Sequence, residues 1–82
     1  MQVEVIRDAL RRGPFVPFLL RMNDGRVFHV RHPDYVAVGR RHVYYIDPET
    51  DASIFLEPFL IASLEFVGTQ MSAPEQKSGG NS

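Results

Sequence analysis

Arg26, Arg31, Arg40 and Arg41 crowd the middle of this chain, with His32 and the tyrosines Tyr35, Tyr44 and Tyr45 interleaved among them. These residue types suit nucleic-acid contact, because a guanidinium pairs with phosphate through two parallel hydrogen bonds and an aromatic ring stacks on an unpaired base. On this ground the candidate interface is Arg26, Arg31, His32, Tyr35, Arg40 and Arg41, and single-stranded RNA is the partner these ingredients fit. Two features pull the other way. The sequence pI is about 6.3, lower than nucleic-acid domains usually show, and arginines at a tight turn, such as Arg40 and Arg41, also serve simply as solubilising charge. Tyr44 and Tyr45 are adjacent, so on a strand one faces the core and the other solvent.

Other chemistries find less to work with. His29 and His32 are three apart, which on a strand points them to opposite faces unless Pro33 bends the chain, and His42 stands alone, so no metal is expected. Asp47, Glu49 and Asp51 alternate across a polar cluster, but the Gly and terminal Glu of a calcium loop are missing, and a solvated turn is the plainer account. With no cysteine, no glycine-rich phosphate loop and no clustered carboxylate pair, the expectation is a protein without catalytic residues, cofactor or small-molecule substrate.

The 82 residues suffice for one domain, of a size that buries only about 60% of the unfolded chain's surface and gains from a partner subunit. A 44% share of hydrophobic residues marks a folded chain. The absence of cysteine removes disulfide staples, no apolar run approaches the ~20 residues of a membrane span, and the opening residues lack a leader pattern; a soluble cytoplasmic protein is expected. Charge is uneven. Residues 7 to 42 carry eight arginines against three aspartates, whereas residues 43 to 67 carry five acids and no Lys or Arg. If the halves fold to opposite sides, the dipole favours head-to-tail contacts between copies or one anion-attracting face; if the strands interleave, the charges mix.

The elements that must position these residues follow from periodicity. Val3, Ile6 and Leu10, with Ala9 beside them, predict an amphipathic helix over residues 3 to 12, with Arg11 and Arg12 at its C-terminal end and Gly13-Pro14 as the stop. Residues 15 to 22 read as a strand with Pro17 at its start or on an edge. Asp24-Gly25 predicts a hairpin of type I′, leading into a strand over 26 to 31 with Phe28 and Val30 on one face. His32-Pro33-Asp34 is either a bend in one long strand or a loop, after which residues 35 to 38 resume β structure. Strands follow over 42 to 46, 52 to 56 and 61 to 67, with a polar turn at 47 to 51 and a 3₁₀ turn at 57 to 60 as one reading of the last corner. Residues 68 to 82 turn abruptly to small polar types and read as a flexible tail, leaving residues 1 to 67 as the domain.

A helix, a hairpin tipped by Asp-Gly, a bending second strand and two further strands is an order that resembles the Sm-like proteins, most of all the bacterial Hfq type. The residues that carry the likeness are Ala9-Leu10-Arg11-Arg12, then Val16-Pro17-Phe18-Leu19-Leu20-Arg21-Met22-Asn23-Asp24-Gly25, then Asp34-Tyr35-Val36-Ala37-Val38. The resemblance implies a closed barrel, rings built by pairing edge strands of neighbouring subunits, and RNA held by loop residues around a pore. The chain departs from the pattern in two places: no Asn follows the Asp34 strand, and the penultimate strand reads Ser53-Ile54-Phe55-Leu56-Glu57 in place of a Tyr-Lys-His segment. Pro14-Phe15-Val16-Pro17-Phe18, Asp24-Gly25-Arg26 and Val30-Arg31-His32-Pro33 are also similar to a set of short uncharacterised bacterial proteins, a likeness that carries no activity.

The expected fold class is therefore mainly β (α+β): an N-terminal helix and a strongly bent antiparallel sheet of about five strands forming an Sm-like or SH3-like barrel. The apolar density of residues 54 to 67 predicts a last pair of strands buried on both faces, either by the barrel and helix or by an open edge paired to a second copy. A homo-oligomeric binding module, in ring form or otherwise, is the leading expectation. A monomeric protein-interaction or regulatory domain using the arginine-rich turn is the alternative.

Overall fold

Residues 1–67 are described by the computed structural model; the tail expected over 68 to 82 lies outside them. The order is α1 (Val3–Leu10), β1 (Phe18–Met22), β2 (Val27–Val30), a 3₁₀ turn (Pro33–Tyr35), β3 (Val36–Val38), β4 (Val43–Ile46), β5 (Ser53–Leu56), a second 3₁₀ turn (Pro58–Leu60) and β6 (Ile61–Phe66). The chain is mainly β with one short helix. Its strands form two antiparallel sheets of three, ordered β2-β1-β6 and β3-β4-β5.

The helix ends two residues earlier than its sequence pattern predicts. Its buried stripe is Val3, Ile6 and Ala9, and beyond the half-buried Leu10 no further apolar residue would hold another turn against the sheets. Arg11 closes the helix by donating its backbone N–H to Arg7 and Asp8 carbonyls, at 3.1 and 3.2 Å. Eight residues are too few to be helical alone, so packing holds them. Burying Ile6 completely contributes ~1.5–3 kcal/mol to that attachment.

Asp24-Gly25 does make the β1–β2 hairpin, but the turn is not type I′. Only Gly25 has positive φ (+94°), Gly25 N–H donates to the Met22 carbonyl at 3.0 Å, and Met22 N–H donates to the Arg26 carbonyl at 2.8 Å. This is a three-residue loop of type I with a glycine bulge, a closure that asks for one left-handed residue rather than two. Asp24 supports the loop by accepting the Arg26 backbone N–H at 3.0 Å.

The second strand is broken rather than merely bent, which makes six strands out of the expected five. His32 Nδ1 accepts the Asp34 N–H at 3.1 Å and Pro33 starts the 3₁₀ turn, so Tyr35 belongs to the turn and β3 begins at Val36. Phe28 and Val30 do lie on one face, opposite Leu20 and Phe18 of β1. The second 3₁₀ turn falls where Glu57-Pro58 allows it, with the Glu57 carboxylate accepting the Phe59 N–H.

β6 returns to pair with β1, Phe18 opposite Phe66 and Leu20 opposite Leu64. The core lies between the inner faces of both sheets and the helix; Phe18, Ile6, Leu20, Leu56, Val30 and Val43 are its fully buried side chains. Among the described residues, burial on both faces of the last strands is not achieved. Phe55, Phe59, Leu60, Phe66 and Val67 are exposed, Phe59 at 87%, so the helix and sheets do not cover them.

Candidate nucleic-acid interface

The structure distributes the expected interface residues over three places. Arg26 sits beside the first hairpin, its Nε 2.8 Å from Asp24 Oδ2 and its guanidinium 5.6 Å from the Phe28 ring centre. The Arg26 backbone N–H, followed by burial acting the other way and then the Arg26 side chain, leaves the Asp24 carboxyl below its usual range. This guanidinium is engaged by its own turn.

Arg31 and Tyr35 line a cleft of about 390 Å³ with Phe28, Tyr45, Asp47 and Glu49. Phe28 and Tyr45 form its inner wall, with ring centres 5.0 Å apart. Tyr45 is buried, its hydroxyl donating to the His29 carbonyl at 3.1 Å, and burial, then the Asp47 carboxylate, pushes its pKa up. Because Asp47 and Glu49 face the same cleft as Arg31, its charge is mixed and offers little to a phosphate. His32 is spent on the turn, with its ring 6.2 Å from that of Tyr35.

Arg40 and Arg41 lie at the other end of β3 and β4, in the β3–β4 turn, where they line a cavity of about 510 Å³ with Glu4, Glu57 and Phe59. β3 and β4 run antiparallel, Val36 opposite Tyr45 and Val38 opposite Val43, so their two ends are held apart by the whole length of the pair. Arg31 and Tyr35 therefore line one cavity and Arg40 and Arg41 another. Among the described residues, neither Arg40 nor Arg41 makes an ion pair. Arg7, from the helix, approaches the same turn by donating to the Gly39 carbonyl at 2.7 Å.

The charge question resolves along β4. Arg40 and Arg41 precede it and Asp47, Glu49 and Asp51 follow it, yet Glu4 and Glu57 share the cavity of the two arginines and Arg31 shares the cleft of Asp47 and Glu49, so each end carries both signs. In the other sheet the charges mix as well: Arg21 Nε bonds Glu65 Oε2 at 3.0 Å.

The expected division of the two tyrosines holds, with Tyr45 inside and Tyr44 outside. What the sequence reading misses is the neighbour of Tyr44. Phe55 stands directly across from it on β5, the ring centres 5.6 Å apart, and His42 lies 5.8 Å from Phe55 on the same side. The signal was present in Ser53-Ile54-Phe55-Leu56, where an aromatic falls on the face opposite Ile54 and Leu56, but an apolar residue on each face left the exposed side undetermined.

Among the described residues, no group of three or more His, Asp or Glu gathers as metal ligands, and no helix is long and apolar enough to cross a membrane. Comparisons with family models, curated proteins and solved structures find no match to this chain.

Proposed function

We propose that this protein is a non-catalytic, self-associating binding module of the Sm-like kind, with single-stranded RNA as its ligand class. The observation that carries the reading is the pair of open strand edges at the end of the chain. Among the described residues β5 bonds only β4 and β6 bonds only β1, although the two are consecutive and joined by a short turn. Joined through the 3₁₀ turn at 33 to 35, β2 and β3 would count as one bent strand. The order then becomes β6, β1, β2/β3, β4, β5, the succession an Sm-like or SH3-like barrel needs, with β5 and β6 as its two free edges.

Exposed edges with apolar neighbours are the usual route by which sheets recruit further strands. Phe66 and Val67 at the end of β6, and Phe59 and Leu60 in the turn between the two edges, supply apolar surface to a contact of this kind. An edge-to-edge contact of β5 on one copy with β6 on the next is heterologous, and such contacts close into rings when the rotation permits.

Size-exclusion chromatography with light scattering tests the proposal on the full chain. A particle several times the 9.3 kDa chain mass is expected. A 9.3 kDa species at micromolar concentration would remove self-association and leave a monomeric interaction or regulatory domain.

A further inference from the structure

The outer face of the β3-β4-β5 sheet carries a row of side chains that no layer covers among the described residues. Ala37, Tyr44 and Phe55 are in register across the three strands, and all three are exposed, Tyr44 at 40% and Phe55 at 43%. His42 extends the row along β4, its ring against Phe55. Aromatic rings on a sheet surface cost free energy to keep in water, and cross-strand contact of the rings recovers only part of it.

We propose that this face is a stacking platform for single-stranded nucleic acid, with Arg40 and Arg41 holding the phosphates of the bound strand. The proposal rests on the ligand class named above; of the six residues expected from the sequence it keeps Arg40 and Arg41, and it adds the sheet face. Three observations favour it. The rings of Tyr44, Phe55 and His42 present a surface for bases, and sheet-borne aromatics hold two or three of them in common RNA-binding modules. Ala37, the smallest member of the row, stands opposite Tyr44 on β3 and is itself exposed. Arg40 and Arg41 immediately precede His42 and are the cations of this sheet that no described carboxylate pairs.

Charge and area also separate this occupant from a second copy. Glu57, which follows β5 and shares the cavity of Arg40 and Arg41 with Glu4, accepts the Phe59 N–H and forms no ion pair with either arginine. Three rings and one alanine fall far short of the 20–30 residues a side that a stable protein interface usually buries. Edge-to-edge pairing of β5 would leave its faces free, so the platform and the self-association of the module are compatible.

The test is fluorescence anisotropy of labelled 15-nucleotide oligouridine and oligothymidine with the full chain, at 50 and 200 mM salt, with particle mass recorded by light scattering on the same samples. Both strands are expected to bind within a few-fold of each other, since stacking does not read the 2′-hydroxyl, and to weaken at the higher salt. Tyr44→Ala and Phe55→Ala should each weaken binding by about five- to hundred-fold with an unchanged circular dichroism spectrum, while Tyr44→Phe, which keeps the ring, retains it. Arg40→Gln combined with Arg41→Gln should weaken binding at 50 mM salt and flatten the salt dependence.

No saturable binding at 50 mM salt, or alanine variants that bind like the parent, would overturn the platform. If Phe55→Ala lowers the particle mass and leaves affinity unchanged, the face is a contact between copies and the inference fails. Mass and affinity are separate readouts: a monomer that binds nucleic acid through Tyr44 and Phe55 defeats the oligomer and keeps the platform, and an oligomer indifferent to both variants does the reverse.

Discussion

The Tyr45 hydroxyl donates to the His29 carbonyl at 3.1 Å, tying β4 of one sheet to β2 of the other. Among the described residues it is the side-chain hydrogen bond that spans the two sheets, whose other contacts across the core are apolar. An intramolecular hydrogen bond of this kind contributes about 0.5–1.5 kcal/mol. Tyr45→Phe should lose that amount in urea unfolding at pH 7.

Only the protonated hydroxyl can donate. Burial, and then the Asp47 carboxylate, raise the pKa of Tyr45 in the folded state, so its contribution is fully present below the unfolded value near 10 and is lost as pH rises through the raised one. Tyr45→Phe should therefore lose less stability than the parent as pH rises past about 10. Parallel decline of the two proteins in urea midpoints over that range would contradict the assignment.

At the acid end the relevant group is Glu65. The Arg21 hydrogen bond, then that of the Ser63 hydroxyl at 2.7 Å, hold its carboxyl below the usual glutamate range. A lowered folded pKa means the contribution is present above the unfolded value near 4.3 and lost as pH falls through the lowered one. The pair is half-exposed, so its size is modest. Glu65→Gln should be slightly less stable at pH 7 and should show a shallower fall in urea midpoint between about pH 5 and 3. Equal slopes for the variant and the parent would show that the β1–β6 pair does not sense pH.

Gly25 is the residue on which the first hairpin turns. At φ +94° an L side chain is strained even though a Cβ would meet nothing within 4 Å, so the cost is conformational rather than steric crowding by neighbours. Gly25→Ala should cost about 1–2 kcal/mol. Gly39→Ala serves as the control: its added Cβ meets only the His42 carbonyl, at an ordinary 3.9 Å, and its stability loss should be the smaller by urea unfolding. Equal losses at the two positions would mean that the backbone angle of Gly25 is not what the hairpin depends on.

Local chemistry made much of the fold legible. The spacing of Val3, Ile6 and Ala9 specifies a helix, the alternation around Phe28 and Val30 specifies a strand, and Asp24-Gly25, His32-Pro33 and Glu57-Pro58 stop their segments through hydrogen bonds that each turn makes with itself. The division of Tyr44 from Tyr45 follows from the two-residue period of a strand alone. These features depend on neighbours within a few positions, which a sequence displays directly.

Long-range pairing decided the rest. That β6 returns to β1 rather than pairing with its chain neighbour β5 is set by which apolar faces meet in the core, and nothing within residues 53 to 66 encodes the choice locally. The same holds for Phe55: its strand is apolar on both sides, so only the placement of Ile54 and Leu56 against the interior turned its ring outward, beside Tyr44. The arginines lie close along the chain, but Arg31 comes before the turn that leads into β3 and Arg40 after that strand, and the two line different cavities. Sequence thus fixes each residue's side of its own element; contacts between distant segments select the side that water reaches.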